Sequence, residues 1–93
     1  MKLVYTDVAL DDLKRLREFI EAHDPTATAR VAAGLVERIR RLPDFPEVGA
    51  PVPLAPDPDS IGDMVFGKYL VRYSIHPSTV IVLRIWHGLE GER

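Results

Sequence analysis

The sequence contains no cysteine and no long apolar run, and both absences narrow what the protein can be. Without cysteine there is no disulfide framework and no thiolate metal site, which is typical of a reducing compartment. A membrane-spanning helix needs roughly 18–20 apolar residues in succession, and no stretch approaches that length. The opening residues MKLVYTDVALDD carry aspartates where a signal peptide needs an apolar core. We therefore expect a cytoplasmic protein that is not inserted in a membrane.

The chain also lacks an excess of positive charge and a spacing of histidines that would suit a metal. Its formal net charge is −2, whereas proteins that hold nucleic acid through its phosphates are usually basic. Direct nucleic-acid binding by the chain alone is therefore not expected. The three histidines stand apart and do not reproduce a ligand spacing such as His-x₃-His. We expect neither a metal site nor a cofactor.

The first half of the chain predicts a strand followed by two helices. A length of 93 residues indicates one domain, residues 1–93. Residues 2–6 alternate as a short strand, and Thr6 then offers a cap for a helix over about 7–23. After a break at His23-Asp24-Pro25, a second helix is predicted to begin at Pro25 and to end at Pro43. Two helices with so short a link form an antiparallel hairpin.

The spacing of apolar residues predicts which side of each helix faces the core. In the first helix the core set is Ala9, Leu13, Leu16 and Ile20. In the second helix it is Ala29, Ala32, Val36 and Ile39, with Leu35 and Leu42 beside it. Apolar residues outside the narrow stripes that face the sheet would form a surface groove on the hairpin, and we assign Leu10, Phe19 and Leu35 to it.

The second half of the chain predicts a sheet. A proline-rich connection over residues 43–62 is interpreted as a stiff crossover laid across the core, although loops of this length are often functional. Strands are then predicted over 63–67, 68–75 and 79–86, with a bend near Gly67 and a turn at 76–78. Strands joined by short turns pair antiparallel. The fold class is therefore α+β: an N-terminal strand, an antiparallel helix hairpin and a three-stranded antiparallel sheet.

Strand alternation sorts the side chains of the last two strands onto two faces. We expect the aliphatic set of the last strand to pack on the helices: Ile81, Leu83, Ile85 and His87. The opposite face would carry Arg72, Ser74 and His76 beside Val80, Val82, Arg84 and Trp86. An open face of this kind often marks a partner site, although solvated arginines over a covered tryptophan are an equally ordinary outcome.

Four segments in this order resemble the RelE/ParE superfamily of bacterial type II toxins. They are "ALDDLKRLREFI" in the first helix, "ARVAAGLVERIRRLPDFPEVGAPV" with its Leu-x-x-Phe-Pro-x-x-Gly, "GKYLVRYSI", and "VIVLRIWHG" with its closing His-Gly. The resemblance covers nearly the whole chain. It implies the RelE/ParE-like toxin fold and a toxin that a cognate antitoxin neutralises in a heteromeric complex.

The resemblance implies two different activities. Relatives like RelE cut messenger RNA on the ribosome with basic residues near the middle strands and after the last strand. This sequence has Asp63 and no basic residue between Ile61 and Gly67, has Leu70 where an arginine is frequent, and has Leu89 and Glu90 where basic residues are common. These departures favour the ParE branch, which implies a non-enzymatic toxin that binds DNA gyrase, supports plasmid stabilization and pairs with a ParD-type antitoxin. The alternatives are a RelE-type ribonuclease and a non-toxic relative that only pairs with its antitoxin.

Candidate site residues follow from these interpretations. We expect no catalytic residue, and we interpret His87 as a strand-end residue that helps to close the core. The antitoxin is expected to bind as a helix along the hairpin and as a strand near the sheet. Its candidate contacts are Leu10, Arg15, Arg17, Phe19, Leu35 and Arg38. The candidate contacts for the cellular target are Arg72, Arg84, Trp86 and His87.

Overall fold

Two helices cover one face of a five-stranded mixed sheet in the computed structural model, which describes residues 1–52, 56–57 and 60–88. The strand order across the sheet is β1-β5-β4-β3-β2. The helices are α1 (Asp7–His23) and α2 (Thr28–Arg40), and the strands are β1 (Lys2–Tyr5), β2 (Ala50–Pro51), β3 (Ile61–Phe66), β4 (Tyr69–Ile75) and β5 (Thr79–His87).

The predicted α+β class and helix hairpin are confirmed, and the sheet is larger than predicted. The first strand joins the same sheet, where β1 pairs parallel to β5. A short β2, which lies within the proline-rich connection, pairs antiparallel to β3 at the opposite edge. The bend at Gly67 is also confirmed: its φ of 58° is a left-handed conformation that glycine adopts without strain.

Local sequence signals predict the start of α1 correctly but not the start of α2. Helix α1 spans the predicted residues, and the Thr6 side chain caps it by accepting a hydrogen bond of 3.0 Å from the Ala9 amide. Helix α2 begins later than predicted, at Thr28, because Pro25 to Ala27 form a turn.

The buried side of α2 differs from the predicted one. It buries Leu35 and Ile39, followed by Leu42 just beyond the helix, whereas Ala29 and Val36 are exposed. The larger side chains at i, i+4 and i+7 remove more apolar surface from water than the alanine-rich side could, so they set the rotation of the helix.

A β-bulge in β5 makes the predicted sorting of its side chains wrong. Arg72 pairs with Arg84 while the next residue, Tyr73, pairs with Val82, so Leu83 is an extra residue. A bulge of this kind reverses the alternation of side chains along the strand. The helices therefore cover Val80 and Val82, which are fully buried, together with Ile85 and His87.

Of the set predicted to pack on the helices, Ile81 and Leu83 do not do so and are only partly buried. The face of the sheet turned away from the helices is called the open face below.

Helix α1 holds the bulge through two polar side chains. The Thr6 hydroxyl donates to the Leu83 carbonyl at 3.1 Å. The Asp12 carboxylate, which is only 2% exposed, accepts the Ile85 amide at 2.8 Å and Arg84 Nε at 2.9 Å. It also forms an ion pair with Arg15, which in turn donates to the Ile85 carbonyl. Burial alone would raise the pKa of Asp12, but the hydrogen bonds from Arg84, Ile85 and Arg15 outweigh it and lower that pKa.

Tyr73 ties the proline-rich connection to the sheet. Its hydroxyl donates to the Pro46 carbonyl at 2.7 Å and accepts the Gly49 amide at 2.9 Å. A Cβ atom at Gly62 would lie 2.7 Å from the Tyr73 ring, so glycine is needed there for the strand to pass. The predicted crossover is therefore anchored at its start by one phenol.

We predict that Asp12→Asn lowers the free energy of unfolding by about 3 kcal/mol, because it weakens charge-assisted hydrogen bonds at a buried site. The matched control is Asp11→Asn, which changes the same charge at the adjacent exposed position. Urea titrations monitored by circular dichroism measure both. Equal stability of the two variants would contradict the assigned role of Asp12.

The acid dependence of stability gives a second readout of Asp12. Since its folded-state pKa is lowered, its contribution is complete above the unfolded value of about 3.9 and disappears as pH falls through the folded value. The wild type should therefore lose stability between about pH 5 and pH 3 more steeply than Asp12→Asn. Parallel pH profiles for these two proteins would show that the carboxylate is not coupled to folding.

Candidate functional site

The open face carries two arginines and a tryptophan, called here the Arg–Trp cluster (Arg72, Arg84 and Trp86). Arg72 and Arg84 face each other across β4 and β5, and Trp86 lies two residues further along β5. The guanidinium carbons lie 5.3 and 5.2 Å from the centroid of the indole ring. Cation–π contacts of this kind contribute about 0.5–2 kcal/mol each. The three side chains thus share one face, as strand alternation predicts.

Both arginines of the cluster are bound to carboxylates. Arg72 donates to both oxygens of Asp63, at 2.8 and 2.9 Å, and Arg84 donates to both oxygens of Asp12, at 2.9 and 3.3 Å. The bond to Asp63 raises the pKa of Arg72 further, against a smaller opposing effect of burial. Asp63 therefore balances the charge of Arg72, whereas Asp12 is shared between Arg84 and Arg15, so these three arginines and two carboxylates keep one net positive charge.

His87 lies on the other side of the sheet and does not join the Arg–Trp cluster. Its ring packs against Phe19 of α1 at 4.8 Å and against Tyr69 of β4 at 4.9 Å, measured between ring centroids. The side chain is 7% exposed. The interpretation that His87 helps to close the core at a strand end agrees with this position, as does its expected place on the face opposite Trp86.

A groove of about 140 Å³ runs between the two helices on the side away from the sheet. Leu16 and Leu35 lie deep in it, and its accessible walls include Leu13, Arg17 and Val36. Leu10, which is 50% exposed, lies one turn before Leu13 on α1. The groove is therefore apolar, narrow and bordered by a cation. This shape and composition suit an apolar side chain of an amphipathic helix.

The structure distributes the six predicted antitoxin contacts over different places. Leu10 and Arg17 lie on or beside the groove. The prediction that Leu35 is a surface residue is wrong, because it is 2% exposed in the core. Phe19 is partly buried and stacks on His23 as well as on the histidine of β5.

The remaining two contacts face elsewhere. Arg15 turns towards the sheet through Asp12, and the Arg38 guanidinium lies 5.8 Å from the Phe66 ring centroid. Only part of the predicted set therefore forms one surface.

The described parts of the chain offer neither a metal site nor a membrane-spanning helix. Residues 1–52, 56–57 and 60–88 contain no group of three or more His, Cys, Asp or Glu side chains placed to hold a metal ion. Among these residues there is likewise no helix with the length and apolarity needed to span a membrane.

Comparison with known proteins decides the family. The model of the ParE toxin of the type II toxin–antitoxin system parDE matches residues 3–91. The chain belongs to the ParE toxin family. A curated relative, "Toxin RelE1" of Caulobacter vibrioides, is 37% identical over 81 residues, which are 85% of this chain and 84% of the relative.

Solved structures give the same fold. The chromosomal ParDE system from P. aeruginosa has a TM-score of 0.76 at 19% identity and covers 94% of this chain and 95% of its own; at that identity the likeness concerns the fold alone. The toxin–antitoxin complex RelBE2 from Mycobacterium tuberculosis has a TM-score of 0.68 at 27% identity, covering 92% and 95%. The "YoeB/ParE toxin from Agrobacterium tumefaciens" has a TM-score of 0.58 at 25% identity, covering 94% and 98%.

Sequence reasoning missed two residues that shape the surfaces of the toxin. No role in a site is predicted above for Asp12, although its spacing from Ala9 and Leu16 places it on the buried side of α1. Val36 was assigned to the core and instead lies on the groove, 41% exposed. The helical spacing of Asp12 could have indicated that it is buried. The exposure of Val36 depends on the rotation of α2, which packing decides.

We predict that Leu35→Ala lowers the free energy of unfolding of the toxin by about 3 kcal/mol, the usual loss for a buried leucine. Leu10→Asp should change it by less than about 0.5 kcal/mol, because the side chain is half exposed. Urea denaturation of the isolated toxin measures both. A severe loss in Leu10→Asp would place that residue in the core and remove it from the groove.

Proposed function

We propose that the toxin acts in the cytoplasm by binding and inhibiting DNA gyrase, without catalysing a reaction, and that a ParD-type antitoxin neutralises it. The match to the ParE family model over residues 3–91 supports the branch. The observation that carries the proposal is the pairing of both arginines of the Arg–Trp cluster with carboxylates.

Cleavage of RNA requires positive charge at the scissile phosphate and groups that accept and donate protons. Asp63 neutralises Arg72, and Asp12 of α1 holds Arg84 while sharing its charge with Arg15, so both arginines are already bound by carboxylates. The Asp63 carboxylate, which is 20% exposed, would also repel a phosphate placed beside Arg72. His87 packs between aromatic rings on the other face. This arrangement favours a surface that recognises protein over one that cleaves RNA.

The Arg–Trp cluster has features of a protein-binding surface. Arginine is enriched at the energetic centres of interfaces. Trp86 is only 6% exposed and supports the two guanidinium groups that pack on its ring. Val65 on the same face is 61% exposed, and Leu70 lies beside Trp86 across the strands. The face thus joins apolar area to two oriented guanidinium groups. We assign the target-binding role to the Arg–Trp cluster with this apolar margin, and not to His87.

A RelE-type ribonuclease is the second candidate, because the relative that is 37% identical carries the name Toxin RelE1. The RelBE2 complex, at 27% identity, points the same way. A relative that pairs with an antitoxin without being toxic is the third. The names of relatives do not decide between two activities on one fold. The side chains of the open face favour the toxin that binds gyrase.

We predict that the purified toxin inhibits supercoiling by gyrase and does not cleave messenger RNA on ribosomes. Arg72→Ala should weaken the inhibition roughly tenfold, as expected for an interfacial arginine. The matched control is Arg30→Ala, which removes the same charge from an exposed position on α2, at the helix-covered side of the sheet. Codon-dependent cleavage that disappears in Arg72→Ala would identify the ribonuclease instead.

Expression without the antitoxin separates all three candidates in cells. Gyrase inhibition should induce the SOS response and filamentation. Rapid loss of messenger RNA would indicate action at the ribosome, and normal growth would indicate the non-toxic relative. The last two outcomes both contradict the proposal.

The antitoxin is proposed to lay an amphipathic helix along the hairpin groove, with acidic residues towards Arg17. Val36 lines the groove and Leu10 lies one turn along α1 from it, and they are 41% and 50% exposed in the isolated toxin. Covering a large apolar side chain contributes about 1.5–3 kcal/mol, so the two residues matter to affinity. Opposite charge at the rim speeds association more than it tightens the complex.

We predict that the double variant Leu10→Asp with Val36→Asp stays folded and binds the antitoxin at least about tenfold more weakly. The control is Val65→Asp on the open face, which introduces charge at another exposed valine. Isothermal titration calorimetry gives the affinities and circular dichroism the folded state. Unchanged affinity in a folded double variant would exclude the groove.

A further inference from the structure

The turn that follows α2 exposes two large apolar side chains. Phe45 is 64% exposed and Val48 is 56% exposed. Both line a pocket of about 230 Å³ that is also lined by Leu42 and Met64, which are themselves buried at 1% and 3% exposure. Single exposed apolar residues are ordinary, but two on one turn beside buried apolar side chains form a continuous patch. These four residues are called the turn patch below.

The backbone of this turn is held in place and does not depend on a partner for its conformation. The Tyr73 hydroxyl bonds to Pro46 and Gly49, on either side of Val48, at 2.7 and 2.9 Å. The Val48 amide also donates to the Phe45 carbonyl at 3.1 Å. A surface whose backbone is fixed in advance loses less conformational entropy when it binds. The exposed apolar pair is therefore presented in a form that is ready for contact.

The two flanks of the turn patch carry charges of opposite sign. On one side Arg38 and Arg41 of α2 line the pocket described above. On the other side Asp44 and Glu47 line a second, more open pocket of about 430 Å³. The exposed apolar pair belongs to both pockets, so it lies between a basic flank and an acidic flank.

The charges on the flanks are little engaged within the fold. In the described residues 1–52, 56–57 and 60–88, Asp44 and Glu47 form no ion pair. Arg41 Nε lies 3.9 Å from Glu37, and both side chains are well exposed, so this pair contributes little. The Arg38 guanidinium packs on an aromatic ring and not on a carboxylate. Both flanks can therefore attract charges from outside the chain.

We propose that a second copy of this chain binds the turn patch in a symmetric dimer whose twofold axis passes beside Phe45 and Val48. In a twofold interface the same surface meets itself, so residues near the axis contact their own counterparts and each flank faces the opposite flank. The apolar pair then covers its counterpart, and acidic flank meets basic flank at two places. This inference goes beyond the proposed function and depends on neither gyrase nor the antitoxin.

A second copy fits this surface better than a partner of uniform charge. An acidic segment would be attracted by Arg38 and Arg41 but repelled by Asp44 and Glu47, and a basic segment would meet the reverse. The turn patch shares no lining residue with the hairpin groove, so the dimer does not compete for that surface. Two turns and two helix ends bury less than the roughly 1,200 Å² of a standard interface. The dimer is therefore weak and forms at high protein concentration.

Sedimentation velocity of the full-length toxin over a range of concentrations tests the dimer. The mass should rise from the 10.4 kDa of one chain towards twice that value. Phe45→Asp should weaken association at least about tenfold, because it places a carboxylate in an apolar contact. Circular dichroism should show that this variant stays folded, since the side chain is mostly exposed.

The matched control is Val65→Asp, which introduces the same charge at an exposed valine of the open face and should leave association within about twofold. A toxin that stays monomeric up to the millimolar range would overturn the proposal. An equal loss in both variants would place the contact outside the turn patch and would also overturn it.

A charge exchange tests the symmetry of the contact. Arg41→Glu and Glu47→Arg each place like charges opposite one another at both flanks, so either variant alone should associate about tenfold more weakly than the wild type. An equimolar mixture of the two variants should recover association to within about threefold, because opposite charges meet again at both flanks of the mixed dimer. A mixture that associates no better than its separate components would refute the facing of the two flanks.

Discussion

The carboxylate of Asp12 is the constraint on which both the core and the surface of this toxin depend. β1 pairs with β5 only as far as Val82, and beyond that point Asp12 supplies the acceptor that the buried Ile85 amide needs. Burying a carboxylate is costly unless charged donors surround it. Arg84 and Arg15 meet that need, and α1 is thereby fixed to one position on β5. The Asp12 side chain therefore fixes both the position of α1 on the sheet and the direction of the Arg84 side chain.

The same interaction bears on what the open face can do. Arg84 binds Asp12 of α1 and packs on the Trp86 ring. Arg72 binds Asp63 of β3 and packs on the same ring. Each guanidinium is oriented by a carboxylate, and Asp63 would repel a phosphate placed beside Arg72. The RelE/ParE fold carries both nucleases and binding toxins by the resemblance described above. In this chain, the carboxylates that hold both arginines are the feature on which the proposed binding role rests.

The parts predicted correctly are those that local chemistry decides. Thr6 caps α1 because its hydroxyl reaches an amide three residues ahead, and Gly67 bends the hairpin because it tolerates a positive φ. The bulge could not be predicted from alternation, since Val80 to Leu83 are apolar on both faces and an extra residue leaves no mark in such a run. The rotation of α2, which buries Leu35 and exposes Val36, is likewise decided by packing against the sheet. The placement of side chains was therefore predicted correctly where a local signal existed and wrongly where register or helix rotation decided it.

A small domain that leaves both a groove and an edge uncovered is built to be completed by a partner. Val36 and Leu10 remain accessible, whereas Leu16 and Leu35 lie deeper between the two helices. β1 remains an edge because, among the described residues, β5 is the only strand that pairs with it. Each uncovered feature lowers the stability of the isolated toxin, and a partner that binds only the folded state restores it by mass action. Since the edge and the groove lie apart from the Arg–Trp cluster in the fold, an antitoxin can stabilise the toxin at these surfaces without imitating its target. Neutralisation then follows if the bound antitoxin extends over the β1 side of the open face, where Val4 and Ile81 lie in the same sheet as the cluster.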